Sequence, residues 1–137
     1  MIVGINHVTL AVRDLDRAFR FYTEALKLRP VVRWYTGAYL LAGRDWICLT
    51  LDPTRHEGAL PEYTHTALTI STADFNSVVA SLQALGVESW QANHSPGASF
   101  YFLDPDGHKL ELHVAFLSDR LEHLQANPPE GLILFEQ

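Results

Sequence analysis

The sequence predicts an α+β fold of two tandem modules, each a strand, a helix and three further strands. Two observations carry this prediction. One is an internal repeat: Asn6-His7-Val8-Thr9-Leu10-Ala11-Val12 reads like Thr64-His65-Thr66-Ala67-Leu68-Thr69-Ile70, with histidine second and alternation after it. The other is that each copy leads into an amphipathic helix and then three strand-like runs separated by turn residues.

In chain order, Asp14 is a suitable N-cap for a first helix, whose apolar stripe is Leu15, Ala18, Phe19, Tyr22 and Leu26. Strands are expected over Val31–Tyr35, Tyr39–Ala42 and Trp46–Leu51, with a tight turn at Ala42-Gly43-Arg44-Asp45. Module one then covers residues 1–52. Residues 53–62 carry Pro53, Gly58 and Pro61 and read as a linker. In module two, residues 63–116, Ser71 and Asp74 resemble a capping box. The helix stripe is Phe75, Val78, Val79, Leu82 and Leu85, and Gly86 suits its stop. Strands are expected over Val87–Gln91, Ser99–Leu103 and Lys109–Val114, with the turn Asp104-Pro105-Asp106-Gly107. Residues 117–137 hold a short helix over Asp119–Gln125, capped by Ser118 and ended by Pro128-Pro129. The tail residues Leu132, Ile133, Leu134 and Phe135 are too apolar to be free and are expected to pack on the domain or a partner.

Composition narrows the function. The 137 residues suit a single domain, and 47% hydrophobic with 19% charged residues marks a globular chain. No apolar run is long enough for a membrane helix, and no signal peptide is visible. Cys48 is the one cysteine, so no intramolecular disulfide can form. A cytoplasmic protein without membrane partners is expected. A net charge of −6 argues against nucleic-acid binding. It leaves room for an anionic small substrate, because a bound metal dominates the field around it.

Side chains alternate across a strand, so each predicted strand has two faces. One face is aliphatic: Val8, Leu10 and Val12; Ile47, Leu49 and Leu51; Leu68 and Ile70; Leu110, Leu112 and Val114. The other faces collect His7, Thr9, Cys48, His65 and Glu111. Two readings stand. These are polar residues on a solvated sheet face, or two histidines and a carboxylate form an open site for a divalent metal. The equivalent repeat positions of His7 and His65 favour the second. Lys109 and His113 share the face of Glu111, and spacing does not choose among the three.

Several stretches resemble the vicinal oxygen chelate superfamily of paired βαβββ modules, and within it the glutathione-type (FosA) fosfomycin resistance proteins. They are Ile5 to Val12, Gly37-Ala38-Tyr39-Leu40, Trp46-Ile47-Cys48-Leu49, Tyr63-Thr64-His65 and the long run from Ser99 to Val114. The resemblance spans nearly the whole chain. It implies a domain-swapped homodimer in which Mn²⁺ is held by His65, Glu111 and, from the other subunit, His7. It implies that the thiolate of glutathione opens the epoxide of fosfomycin. Thr9, Tyr39 and Arg120 would be the catalytic residues. Thr9, Trp46, Cys48, Gln91, Ser99, Tyr101 and Arg120 would meet the substrate, with Thr9, Tyr101 and Arg120 on its phosphonate. Trp34, Thr36, Tyr39, Thr50 and His94 would face the thiol. Asn93, Ser95, Gly97 and Ser99 would form a K⁺ loop. Thr9 points to the glutathione type, since members with cysteine there generally use other thiols.

The chain also departs from the family pattern. Gln91 stands in place of a lysine, His94 of an arginine, Thr36 of a glutamine, Thr50 of a serine and Thr66 of a tyrosine. The expected metal ligands are intact while the anion and thiol pockets are altered. The rivals are a metalloenzyme of the same fold acting with another thiol or another substrate, a relative that adds water, and a drug-binding protein without activity. A water-adding enzyme needs a carboxylate base near the epoxide, and between Tyr39 and Trp46 only Asp45 offers one.

Overall fold

The computed structural model describes residues 1–136. The observed strands are β1 (His7–Val12), β2 (Arg29–Trp34), β3 (Gly37–Ala42), β4 (Asp45–Leu51), β5 (Thr66–Thr69), β6 (Ser89–Gln91), β7 (Ser99–Leu103) and β8 (Lys109–His113). The helices are α1 (Leu15–Arg20), α2 (Thr72–Ala84) and α3 (Leu117–Ala126). The strands form two four-stranded mixed sheets, ordered β1-β4-β3-β2 and β5-β8-β7-β6. The chain is α+β, as its repeat predicts.

The repeat extends to the pairing register. β1 runs parallel to β4 with Thr9 opposite Cys48. β5 runs parallel to β8 with Ala67 opposite Glu111. Antiparallel neighbours complete each centre, setting Tyr39 beside Cys48 and Tyr101 beside Glu111. Cys48 and Glu111 are therefore equivalent positions of the two sheets.

The aliphatic faces form one core that crosses both modules. Leu10, Val12, Ala38, Leu40, Ile47 and Leu49 of sheet one join Leu15, Ala18 and Tyr22 after them, Leu82 of α2, and Phe102, Leu110 and Leu112 of sheet two. Burying one such aliphatic or aromatic side chain stabilises the fold by about 1.5–3 kcal/mol. Polar bonds at the Asp104–Gly107 turn tie the modules together. Tyr22 Oη donates to Asp104 Oδ2 at 2.6 Å, and Asp106 Oδ1 accepts from the Arg13 N–H at 2.9 Å and from Arg17 at 3.2 Å.

Local signals decide most boundaries. Asp14 caps α1 by accepting from Arg17 N–H at 3.0 Å, and Ser71 Oγ caps α2 by accepting from Asp74 N–H at 3.1 Å. Three expectations need correction, and a fourth, on the tail, is left with its partner alternative. The first helix does not stay α-helical through Leu26: residues Phe21–Ala25 widen into a π-turn, with Leu26 N–H donating to Phe21 O at 3.1 Å. Leu85 does not belong to the buried stripe. α2 ends at Ala84, and Leu85 turns outward as its C-cap, 65% exposed. α3 starts at Leu117 with Phe116, not Ser118, as N-cap, and Asp119 Oδ2 accepts from the Phe116 N–H at 2.7 Å. In the tail only Leu132 is half-buried; Ile133 and Phe135 are 70% and 79% exposed, so the chain itself does not cover them. Gln137, its last residue, lies outside the described residues. Among those described, no helix is long and apolar enough to cross a membrane.

Candidate metal and substrate site

The faces turned away from the core carry the polar residues. On sheet two, His65 enters β5 half-buried and Glu111 sits mid-β8 at 2% exposure. His65 Nε2 lies 3.0 Å from Glu111 Oε2, while His65 Nδ1 lies 3.0 Å from the Tyr63 carbonyl oxygen. A carbonyl only accepts, so Nδ1 carries the hydrogen and Nε2 is the nitrogen left for a ligand. A proton or a metal cation must lie between Nε2 and the carboxylate. This donor set fits a borderline divalent ion.

Glu111 has further partners. Ser99 Oγ donates to Glu111 Oε1 at 2.8 Å, and Ser99 also meets His113 Nδ1. Arg120, arriving from α3, donates to His113 Nε2 at 3.1 Å and comes within 3.9 Å of Glu111 Oε1. Tyr101 Oη pairs with Ser95 Oγ at 2.9 Å. The loop before β7 is closed internally: Asn93 Nδ2 donates to Gly97 O at 3.0 Å, and Asn93 Oδ1 accepts from Ser95 N–H at 3.0 Å. Gln91 donates to Tyr63 Oη at 3.2 Å, and His94 is exposed. Lys109 turns away from the group. Its Nζ lies 5.3 Å from the Trp90 ring and donates to the Glu62 carbonyl at 2.6 Å.

Sheet one holds the remainder. His7 is exposed at the start of β1, its ring 4.3 Å from that of Trp46. Tyr39 stands edge-on between Trp46 and Trp34, at 4.8 Å and 5.0 Å. Trp34 Nε1 donates to Thr36 Oγ1 at 3.1 Å. Cys48 is buried with its Sγ 3.6 Å from Thr50 Oγ1, and Thr9 lies exposed beside it.

One chain thus joins His65, Glu111, Ser99, Tyr101 and Arg120 on one sheet, and groups His7, Thr9, Tyr39, Trp46 and Cys48 on the other. It does not bring His7 to His65. Among the described residues, no three His, Cys, Asp or Glu side chains group as a metal cage would require. Three residues beside Glu111 and His65 had weaker sequence signals. His113 shared a strand face with Glu111, Tyr63 stood two positions before His65 in the stretch Tyr63-Thr64-His65, and Trp90, ring 5.4 Å from His65, had no distinguishing signal.

Comparison with known proteins fits this arrangement. The profile of the Glyoxalase/Bleomycin resistance protein/Dioxygenase superfamily matches residues 4–112. The glutathione transferase FosA of Serratia marcescens is 47% identical, over 97% of this chain and 96% of its own. The metallothiol transferase FosB of Shouchella clausii is 32% identical over 100% and 97%. The crystal structure of the fosfomycin resistance protein FosX from Listeria monocytogenes superposes with a TM-score of 0.78 at 29% identity. It covers 90% of this chain and 99% of that one. A variant of that FosX was solved with Mn(II) and 1S,2S-dihydroxypropylphosphonic acid, and matches at a TM-score of 0.76 and 29% identity over 90% and 98%. The chain belongs to this superfamily, and within it to the group of FosA, FosB and FosX proteins.

Proposed function

We propose that this protein is a metal-dependent transferase that opens the epoxide of fosfomycin with the thiolate of glutathione and so confers resistance to the drug. One observation carries the reading: a buried glutamate faces the free ring nitrogen of a carbonyl-anchored histidine, in a chain 47% identical to a FosA glutathione transferase. His65 and Glu111, with His7 from a second subunit, would hold Mn²⁺. When bound, the ion supplies Lewis acidity for the charge that develops on the epoxide oxygen.

The chain's own residues do the rest. The Arg120 guanidinium binds the phosphonate through its fork of donors, the hydroxyls of Thr9 and Tyr101 donate to the same anion, and Ser99, whose hydrogen goes to Glu111, lines the pocket beside them. Trp46 and Cys48 wall the pocket against water. The Tyr39 hydroxyl orients the thiol, with Trp34, Thr36, Thr50 and His94 along its approach, and Gln91 gives an uncharged hydrogen bond. A carbon–sulfur bond forms, a carbon–oxygen bond of the epoxide breaks, and the resulting alkoxide takes up a proton. Oxygens of Asn93, Ser95, Gly97 and Ser99 would hold K⁺. The reaction belongs in the cytoplasm, where thiols are kept reduced.

Phosphorus NMR of fosfomycin with protein, Mn²⁺ and K⁺, in parallel tubes with glutathione, cysteine or no thiol, tests this. A new product signal only with glutathione is expected. Product with water alone would overturn the thiol assignment, and no product in any tube would overturn fosfomycin as the substrate. Replacing K⁺ by Na⁺ in the glutathione tube should slow the reaction; an equal rate removes the K⁺ loop.

A further inference from the structure

His113 has no part in the proposed reaction, yet three elements meet on it. Register sets it opposite Ser99 across β7 and β8, on the same face as Glu111, and α3 delivers Arg120 to its far side. It is 6% exposed, so its ring nitrogens must find partners within the protein. Nε2 lies 3.1 Å from the Arg120 guanidinium, Nδ1 meets Ser99 Oγ, and Nδ1 stands 3.4 Å from Glu111 Oε1.

Hydrogen-bond chemistry gives this chain of contacts one direction. A guanidinium has no acceptor, so Nε2 must present its lone pair to Arg120. The neutral ring then carries its hydrogen on Nδ1 and donates to Ser99 Oγ. A carboxylate only accepts, so the Ser99 hydroxyl hydrogen points to Glu111 Oε1, 2.8 Å away. Every bond runs from Arg120 toward the carboxylate. Ser99 and Glu111 are thereby held in one orientation, with Glu111 Oε2 left toward His65.

We propose that His113 is a positioning residue that orients Glu111 through Ser99 and holds Arg120, so that metal ligation and phosphonate binding share one frame. The inference rests on the proposed function and deepens it. The two ring nitrogens have separable jobs, and amide side chains separate them. In His113→Asn the amide reaches the position of Nδ1 and keeps a donor for Ser99, but nothing faces Arg120. In His113→Gln the carbonyl reaches the position of Nε2 and keeps an acceptor for Arg120, but Ser99 loses its donor. His113→Leu removes both.

Mn²⁺ affinity is read by electron paramagnetic resonance of the free ion, and fosfomycin affinity by calorimetry on the Mn²⁺-loaded protein; neither needs turnover. Partners of a metal ligand change metal affinity by about 10–100-fold. His113→Gln should weaken Mn²⁺ by about tenfold and leave fosfomycin binding to the loaded protein unchanged. His113→Asn should weaken fosfomycin and leave Mn²⁺ unchanged, and His113→Leu should weaken both. Melting curves accompany each variant, and a merely structural histidine would lower the melting temperature without splitting the two affinities. Wild-type affinities in His113→Leu, or no split between the Asn and Gln variants, overturn the inference alone. If His113→Leu does not fold, the Asn and Gln pair decides. A wild-type protein that binds no Mn²⁺ overturns the metal reading, and this inference with it.

Discussion

Tyr22 and Asp104 join the two modules by one buried hydrogen bond of 2.6 Å. Burial, and then the Asp104 charge, pushes the Tyr22 hydroxyl well above its ordinary value of about 10. Burial likewise raises Asp104, against the opposing pull of the Tyr22 hydrogen bond. A raised value in the folded state means that the folded protein keeps the Tyr22 proton longer than the unfolded chain. Its contribution to stability is therefore full below about pH 10 and is lost as pH rises through the folded value. Tyr22→Phe should cost about 1–3 kcal/mol at neutral pH, because Asp104 Oδ2 loses its donor. It should also flatten the alkaline limb. Melting temperatures of both proteins from pH 7 to pH 11 check this, and parallel alkaline limbs would remove Tyr22 as the source. Gln91 is a second single-residue case. Its amide now bonds Tyr63 at 3.2 Å and carries no charge toward an anion. Gln91→Lys should raise kcat/KM by about tenfold through a charge-assisted bond. No gain in steady-state kinetics would mean that another residue already supplies that charge.

Turns show how element-scale cues work and where they stop. Gly43 and Gly107 both sit in tight turns with positive φ, 63° and 87°. A Cβ on Gly43 meets nothing, whereas one on Gly107 would lie 2.6 Å from the Ala59 backbone nitrogen. Gly43→Ala should cost about 1 kcal/mol for the left-handed backbone alone. Gly107→Ala adds a clash that backbone cannot relieve cheaply and should cost about 2–5 kcal/mol. Urea midpoints of the two variants check the difference, and equal losses would mean that the linker yields freely to the turn. The turn at Asp104–Gly107 was legible in sequence because its Pro and Gly act locally; its packing against the linker was not, because that contact spans some fifty positions. The same division holds elsewhere. Asp14 and Ser71 announce their helices by caps within three residues. Leu85 continues an apolar period, but nothing local says that the helix ends before it. His65 and Glu111 were legible as candidates from repeat position and strand face. The choice of His113 over Lys109 as the neighbour of Ser99 and Arg120 needed the cross-strand register and the path of α3.

At the scale of the whole molecule, one chain leaves the proposed site divided. His65 and Glu111 lie on one sheet, and His7 lies exposed on the other beside Trp46. Apolar side chains at both ends are also uncovered, among them Ile2, Val3, Ile5, Ile133 and Phe135. A second copy that lends His7 across a two-fold axis would complete the site and cover apolar surface together. Such an arrangement makes two sites per dimer, each using His7 of one chain and Glu111 of the other. His7→Ala and Glu111→Gln proteins should each be inactive and weak in Mn²⁺ binding. Unfolding and refolding them together in equal amounts gives heterodimers as about half of all dimers. In a heterodimer the intact His7 of one chain meets the intact Glu111 of the other, so one of its two sites is wild type. Activity and bound Mn²⁺ should therefore return to about a quarter of the wild-type level. If instead each site draws His7 and Glu111 from the same chain, every chain in the mixture carries a defect and nothing returns. Native mass spectrometry of the mixture shows whether heterodimers are present, so a silent sample that contains them overturns the shared site, and a quarter-active one establishes it.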